Sequence, residues 1–350
     1  MRYPELPILP DHLSKIAAIE RFAGSWHSAS RLNESQRAEL KAGTLIDSTA
    51  ALLRLEGRGT DRDVVDRTLR SLEQHELDFS RHSEEILGLH SALETFTAGE
   101  LEVRDLFDPA VLMEIHGAVL EEVPTLRQSR GQLRDAPLVV QAFDAAGVAV
   151  GDVFAAPDVA EVSAALAQAF SDARDENDDK RWHPLLVISW LCVRLITIQP
   201  FTNGSFRSVH ILCEMLLRSE GYGHGAFQSL PAIMEEEAGP YFVAARNFQR
   251  TASTTQEGLS SWHSFFLGCL VKQAARVRAR QRLDDTLDSL PPLSEEIIRC
   301  VRDRGKLTLR DASESTGANR NTVKLHLKKL VDAGSLVRNG TGKGTWYSLP

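Results

Sequence analysis

Residues Gln199 to His210 read QPFTNGSFRSVH and hold the densest set of groups that could bind and transfer an anion. The stretch lies between two apolar segments with helical spacing, Pro184–Ile198 and Val209–Gly221. A polar, glycine-containing loop that opens directly into a helix gathers free backbone N–H groups and the positive end of a helix dipole at one point, which suits a phosphate. Gly204 and Ser205 supply such a turn, and Arg207 supplies a guanidinium whose donors match phosphate oxygens. An ordinary helix–loop–helix connection is the other reading of the same residues, and the flanking sequence weighs against it.

The elements that must position this loop are mostly helical. Upstream, GQLRD (Gly131–Asp135) precedes two β-prone runs within Leu138–Pro157, which read as a hairpin turning around Ala145-Ala146-Gly147. Helical spacing follows in DVAEVSAALAQAF, with Asp158 placed to cap it. The acidic run Asp172–Arg181 reads as a solvated loop. IHGAVLEE (Ile115–Glu122) reads as a helix before the hairpin, and GPYFVAARNFQR and LSSWHSFFLGCLVKQAA as helices after the loop.

With these elements in order, the chain resembles the Fic family over about residues 105 to 275. The family's signature is HPFxxGNGRxxR with a carboxylate at its fifth position. Pro200, Phe201, Gly204 and Arg207 match it. Gln199 stands at the catalytic His, Asn203 at the acidic metal ligand, Ser205 and Phe206 at Asn-Gly, and His210 at the second Arg. The resemblance implies transfer of AMP from ATP to a protein hydroxyl, with phosphate held by Gly204, Ser205 and Arg207, and a hairpin flap that docks the protein target. The departures argue against that chemistry. Gln199 can orient a hydroxyl but cannot deprotonate it. Asn203 is a much poorer Mg²⁺ ligand than a carboxylate. Phe206 adds bulk where glycine lets the backbone approach phosphate, and His210 is a part-time cation. ATP or another nucleotide is therefore the expected ligand, Mg²⁺ is a poor fit, and no metal site is expected.

Helical patterns also run from about 35 to 56 and 61 to 91. The first ends in LLRLEGRG, Leu52–Gly59. Autoinhibited Fic proteins carry Ser/Thr-x-x-x-Glu-Gly, whose Glu pairs with the second motif Arg. Glu56-Gly57 match, but Leu52 replaces the hydroxyl residue and His210 replaces the partner. Two readings stand side by side: a regulatory Glu56 left over from that element, and a helix end capped by Gly57 in the left-handed region.

Residues 291 to 350 contain 11 Lys and Arg against 6 Asp and Glu, a formal +5; the preceding 290 contain 29 against 42, a formal −13. A basic module on an acidic body points to a polyanionic partner. SEEIIRCVRDRG reads as a helix capped by Ser294, LTLRDASESTG as a second, and NRNTVKLHLKKLVDAG as a third with an apolar face at Val323, Leu325, Leu327, Leu330 and Val331. SLVRNGTGKGTWYSLP then reads as two strands joined by a turn. This order resembles a winged helix-turn-helix, which places the third helix in the major groove of DNA. Asn319, Arg320, Asn321, Thr322 and Lys324 are the expected front edge, with Lys328 further along and Arg338 and Lys343 in the wing; Thr322 is alternatively a capping residue. A winged helix used for protein contact remains the rival.

The expected fold class is mostly α: an N-terminal helical extension over 1–104, a Fic-fold core with a small β-hairpin flap over 105–276, a linker over 277–292 and a winged helix over 293–350. No run of eighteen apolar residues or signal-peptide pattern appears, and the four cysteines sit apart in apolar contexts, so a cytoplasmic protein with no membrane partner is expected. The implied function is a DNA-binding regulator with a residual phosphate cleft, by analogy a homodimer on a pseudo-palindrome. The alternative is an active nucleotidyltransferase using a divergent motif.

Overall fold

The computed structural model describes residues 9–29, 34–74, 80–98, 105–143, 149–251, 257–288, 291–332 and 334–348. The chain divides into two compact units, Met1–Val277 and Arg278–Pro350. It is mostly helical, with little strand.

In the first unit, α1 (Pro10–Ala29), α2 (Glu34–Leu55), α3 (Arg62–Glu73), α4 (Arg81–Leu93) and α5 (Pro109–Val119) come before the hairpin. The helical pattern over 61–91 is thus two helices. Ser80 caps α4 by accepting from the Ser83 amide at 3.2 Å, and Asp108 caps α5 through the Ala110 amide at 2.8 Å. β1 (Val139–Phe143) and β2 (Ala149–Ala155) pair antiparallel, Val139 opposite Ala155 and Phe143 opposite Ala149, with two register irregularities between. The hairpin is where the sequence placed it; its tip at Ala145–Gly147 lies outside the described residues.

Six helices follow: α6 (Val159–Asp179), α7 (Pro184–Ile198), α8 (Ser205–Ser219), α9 (Leu230–Glu236), α10 (Ala238–Thr251) and α11 (Glu257–Asp288). Asp158 does precede α6, but its side chain makes no capping bond. The acidic run expected as a loop is the C-terminal half of α6. Asp172 and Glu176 are buried there, Gln168 donates to Asp172 at 2.8 Å and Arg181 pairs with Glu176, so the acids are held inside a helix by partners on or beside it. α7 is apolar on nearly every side, and Leu185 to Val193 and Leu195 to Ile198 are buried. A helix without a polar face must be enclosed, and α6, α8 and α10 pack against it. Trp262 of α11 anchors to it by donating to the Ser189 carbonyl at 2.8 Å.

The second unit contains α12 (Pro292–Arg304), β3 (Leu307–Thr308), α13 (Leu309–Thr316), α14 (Arg320–Asp332), β4 (Val337–Asn339) and β5 (Trp346–Ser348). The strands form a sheet in the order β3-β5-β4. Its own core comprises Ile297, Ile298, Val301, Leu307, Ala312, Val323, Leu327, Leu330 and Leu336. Ser294 does not cap α12: it lies inside the helix, and its hydroxyl bonds His326 Nδ1 at 2.6 Å. Leu325, expected on the buried face, is 52% exposed.

Close approach of α4 to α5 positions one wall of the loop described below. A Cβ on Gly88 would lie 2.6 Å from the Val119 carbonyl oxygen, whereas one on Gly24 in α1 would meet nothing within 4 Å. Gly88→Ala is expected to cost about 1–3 kcal/mol by forcing the helices apart, and Gly24→Ala to be neutral or stabilising by about 0.5 kcal/mol. Urea unfolding of the two variants checks this.

Candidate functional site

The loop leaves α7 at Gln199, whose φ of +49° lies in the left-handed region, and enters α8 at Gly204, φ +75°. Between them the chain reverses sharply. Four carbonyl contacts hold the reversal: Arg134 donates from Nε to the Gln199 carbonyl at 2.8 Å, from Nη1 to Ala136 at 3.0 Å and from Nη2 to Pro157, while its own amide donates to the Pro200 carbonyl at 2.8 Å. Arg134 is buried. One guanidinium thereby ties the loop to both ends of the hairpin.

His116 of α5 supports the other side. Its ring stacks on Phe201 at 3.7 Å between centroids and 2° between planes. Nδ1 accepts from the Gly131 amide at 3.0 Å, which fixes the proton on Nε2, and Nε2 donates to the Asn203 carbonyl at 2.9 Å. Burial, with Arg207 adding to it, brings its pKa down to about 4. Both nitrogens are engaged and the ring is neutral, so His116 braces the loop and is not placed to receive a proton.

Gln199 is buried and its side-chain amide donates to the Ile196 carbonyl at 2.7 Å, back into its own helix. The Ser205 hydroxyl accepts from the Phe201 amide at 3.0 Å and donates to the Phe201 carbonyl at 2.9 Å, leaving only its backbone N–H for an anion. Phe206 turns into an aromatic group with Tyr241 and Phe242, at 6.3 and 6.1 Å between centroids. The loop offers a divalent cation the Asn203 amide and no carboxylate of its own, so its donor set does not fit Mg²⁺. Among the described residues, no three or more His, Cys, Asp or Glu side chains converge to hold a metal ion.

Arg207 is completely buried. Glu56, just past the end of α2, reaches it: Arg207 Nε lies 2.8 Å from Glu56 Oε2. The approach is off the N–H direction, so charge rather than a directed hydrogen bond holds the pair, and Arg207 Nη1 and Nη2 and Glu56 Oε1 have no hydrogen-bond partner among the described residues. Gly57 brings Glu56 there. Its φ is +74°, its amide donates to the Arg54 carbonyl at 2.9 Å and the Arg58 amide to Leu53 at 2.9 Å, which ends α2 in a left-handed cap. The reading of Gly57 as a left-handed helix cap therefore holds, and Glu56 pairs with Arg207 rather than with the residue at position 210. His210 is buried, donates from Nδ1 to the Phe206 carbonyl at 2.7 Å, and is held neutral by burial with a pKa of about 4. Its Nε2 and the buried Tyr241 hydroxyl make no hydrogen bond among the described residues.

In the second unit, Asn319 caps α14: its Oδ1 accepts from the Asn321 amide at 2.9 Å. Thr322 does not cap. Asn319, Arg320, Asn321, Thr322, Lys324 and Lys328 are all exposed on or before α14, and Arg338 is exposed on β4; the Lys343 side chain lies outside the described residues.

The geometry defines a class of protein: a helical body built around a helix–loop–helix turn closed by the buried Arg207–Glu56 pair, with a hairpin beside it. Residues 106–217 match the model of the Fic/DOC family. No curated protein matches it. Among solved structures it is similar to a Fic family protein from Desulfovibrio desulfuricans G20, at 17% identity and a TM-score of 0.63 over 99% of this chain and 98% of that one. It is also similar to a Fic domain containing signaling protein from Bacteroides thetaiotaomicron VPI-5482, at 16% identity and TM-score 0.58 over 76% of this chain and 97% of that one. Fic-1 (aa134 - 508) from C. elegans matches at 17% identity and TM-score 0.55, over 79% and 74%. Among the described residues no helix is long and apolar enough to cross a membrane.

Sequence reasoning reached the loop but missed His116, Arg134 and Tyr241. The signals were a histidine inside the apolar run IHGAV and the arginine of GQLRD just before the hairpin.

His116 and His210 stay neutral in the fold to about pH 4 but titrate near 6.5 once unfolded. Between those values the unfolded chain binds more protons, so their stabilisation is complete above pH 6.5 and lost as the pH falls towards 4. From pH 7 to 5 the loss is expected to be about 1–2 kcal/mol for each ring. Urea midpoints should fall over that range, and less so in His210→Gln.

Proposed function

We propose that this protein is a DNA-binding regulator whose Fic-type body no longer transfers nucleotides and keeps a closed phosphate cleft. The observation that carries the reading is the exposed polar and cationic face of α14, from Arg320 to Lys328, on a unit with a formal +5. The order α12–β3–α13–α14–β4–β5 supports the reading of a winged helix-turn-helix, in which α14 would enter the groove and β4–β5 would be the wing. Arg320, Lys324, Lys328 and Arg338 would meet phosphates, and Asn321 and Thr322 base edges. A homodimer on a pseudo-palindromic site in the cytoplasm is the arrangement such a reader would use.

Silence of the body is supported by the fate of each proton acceptor at the loop. Gln199 has no basic nitrogen, His116 is braced at both, His210 is buried and neutral, and Glu56 is the counter-charge of Arg207. A phosphate, from ATP or another nucleotide, would meet Arg207 and the first amides of α8 only once Glu56 withdrew.

Binding of the full-length chain to duplexes selected from a random pool tests the regulator. Affinity should fall steeply with salt, and Lys324→Ala or Lys328→Ala should each lower the log–log slope by about 1. Absence of binding, or a slope near zero, removes the reading.

A second reading, a nucleotidyltransferase with a divergent motif, is favoured by the hairpin. β1 and β2 form a two-stranded sheet of the kind that can accept a target's extended segment along an edge. Incubation with labelled ATP, CTP, GTP or UTP and Mg²⁺ or Mn²⁺ separates the two. The regulator predicts no self-labelling in the natural chain or in Glu56→Gly, which frees Arg207. Strong labelling of Glu56→Gly that is lost on adding Arg207→Ala would establish the enzyme.

A further inference from the structure

A leucine half open to solvent in the middle of a cationic helix face is unexpected in a unit that has a core available. Val323, Leu327 and Leu330 of α14 enter that core, and Leu325 does not. It stands four residues after Asn321 and three before Lys328, so it shares a face with both, and Thr322 and Lys324 flank it. Asn321 also has a free side chain: its amide group makes no hydrogen bond among the described residues, because the cap is made by Asn319 through the Asn321 backbone.

Resting on the DNA-binding reading, we infer that Asn321 and Leu325 together read an A·T step in the major groove. An asparagine amide is the two-point partner of adenine N6 and N7, and an apolar side chain is what a thymine 5-methyl group accepts. Neighbouring residues one helical turn apart can meet one base pair and its neighbour, so the pair selects for adenine and for the methyl group beside it. The flanking cations set the face against the phosphates. An exposed leucine at this place adds nothing to the core and would gain burial against a surface that presents a methyl group between phosphates.

The test uses the full chain and duplexes selected from a random pool. In the tightest duplex each thymine is replaced in turn by uracil, which removes only the 5-methyl group, and each adenine by 7-deazaadenine, which removes only N7. One uracil substitution is expected to weaken binding of the natural chain about four-fold, the worth of one buried methyl group, and to leave binding by Leu325→Ala unchanged. One 7-deazaadenine, at the same or the adjacent pair, should weaken the natural chain at least ten-fold and Asn321→Ala little. Leu325 is exposed, so its alanine variant should fold, and circular dichroism checks that. Equal affinity of the natural chain for every uracil duplex overturns the inference while leaving DNA binding intact. Loss of self-association in Leu325→Ala, with no uracil effect, overturns it in favour of a protein contact. Failure to select any duplex removes the DNA-binding reading itself.

Discussion

The ion pair between Glu56 and Arg207 is the constraint on which the loop depends. A guanidinium with no exposure cannot stay charged in an apolar interior without a counter-charge, and removal of one member of such a pair typically costs about 3–5 kcal/mol. Each partner also sits at the wrong end of its own helix. Glu56 follows the C-terminus of α2, where the helix dipole is negative, and Arg207 lies in the first turn of α8, where it is positive. The pair relieves both misfits at once. It also joins an element from the start of the chain to the loop between α7 and α8, so the N-terminal helices belong to the site rather than decorating it.

Around that pair, the loop's polar groups are mostly spent on holding its shape. Arg134 is satisfied entirely by carbonyl oxygens, His116 by one amide and one carbonyl, and Ser205 by the backbone of Phe201. Acid–base catalysis needs a group that can change protonation state near neutral pH within reach of a substrate. Here the imidazoles are driven well below that range by burial, and the one carboxylate at the loop is neutralising an arginine. Among the described residues the unpaired atoms around that pair are donors, Arg207 Nη1 and Nη2 and the Tyr241 hydroxyl, which suit an anion, and two acceptors: His210 Nε2, on a buried ring with a pKa of about 4, and Glu56 Oε1, on the counter-charge of Arg207.

Much of this was legible in the sequence because it rests on local rules. The left-handed cap at Gly57, the hairpin before residue 157 and the opening of α8 at a glycine all follow from residue types that only certain turns tolerate. What could not be read was long-range. Glu56 and Arg207 are far apart along the chain, and a family pattern that assigns Glu56 to position 210 hides the partner three residues earlier. The acids of Asp172–Asp179 look solvated by composition, yet a helix with Gln168 and Arg181 beside them holds Asp172 and Glu176 inside. Leu325 fails for the opposite reason. In a helix with apolar residues at 323, 325, 327 and 330, spacing alone does not say which one is left outside, because only the positions of α12 and α13 decide which face is covered.

The charge distribution gives the exposed leucine its weight. A unit with a formal +5 neutralises few phosphates, and the −13 carried by the first 290 residues is repelled by the same polyanion. Electrostatics alone would then hold such a chain weakly and nearly everywhere. Useful occupancy of one site must come from terms that nonspecific DNA cannot supply, namely hydrogen bonds and apolar contacts at base edges. A lysine in place of Leu325 would add attraction to every sequence alike, whereas a leucine adds it only where a methyl group waits. On the proposed DNA-binding reading, an apolar group on that face of α14 is therefore the more effective choice for a mostly acidic protein.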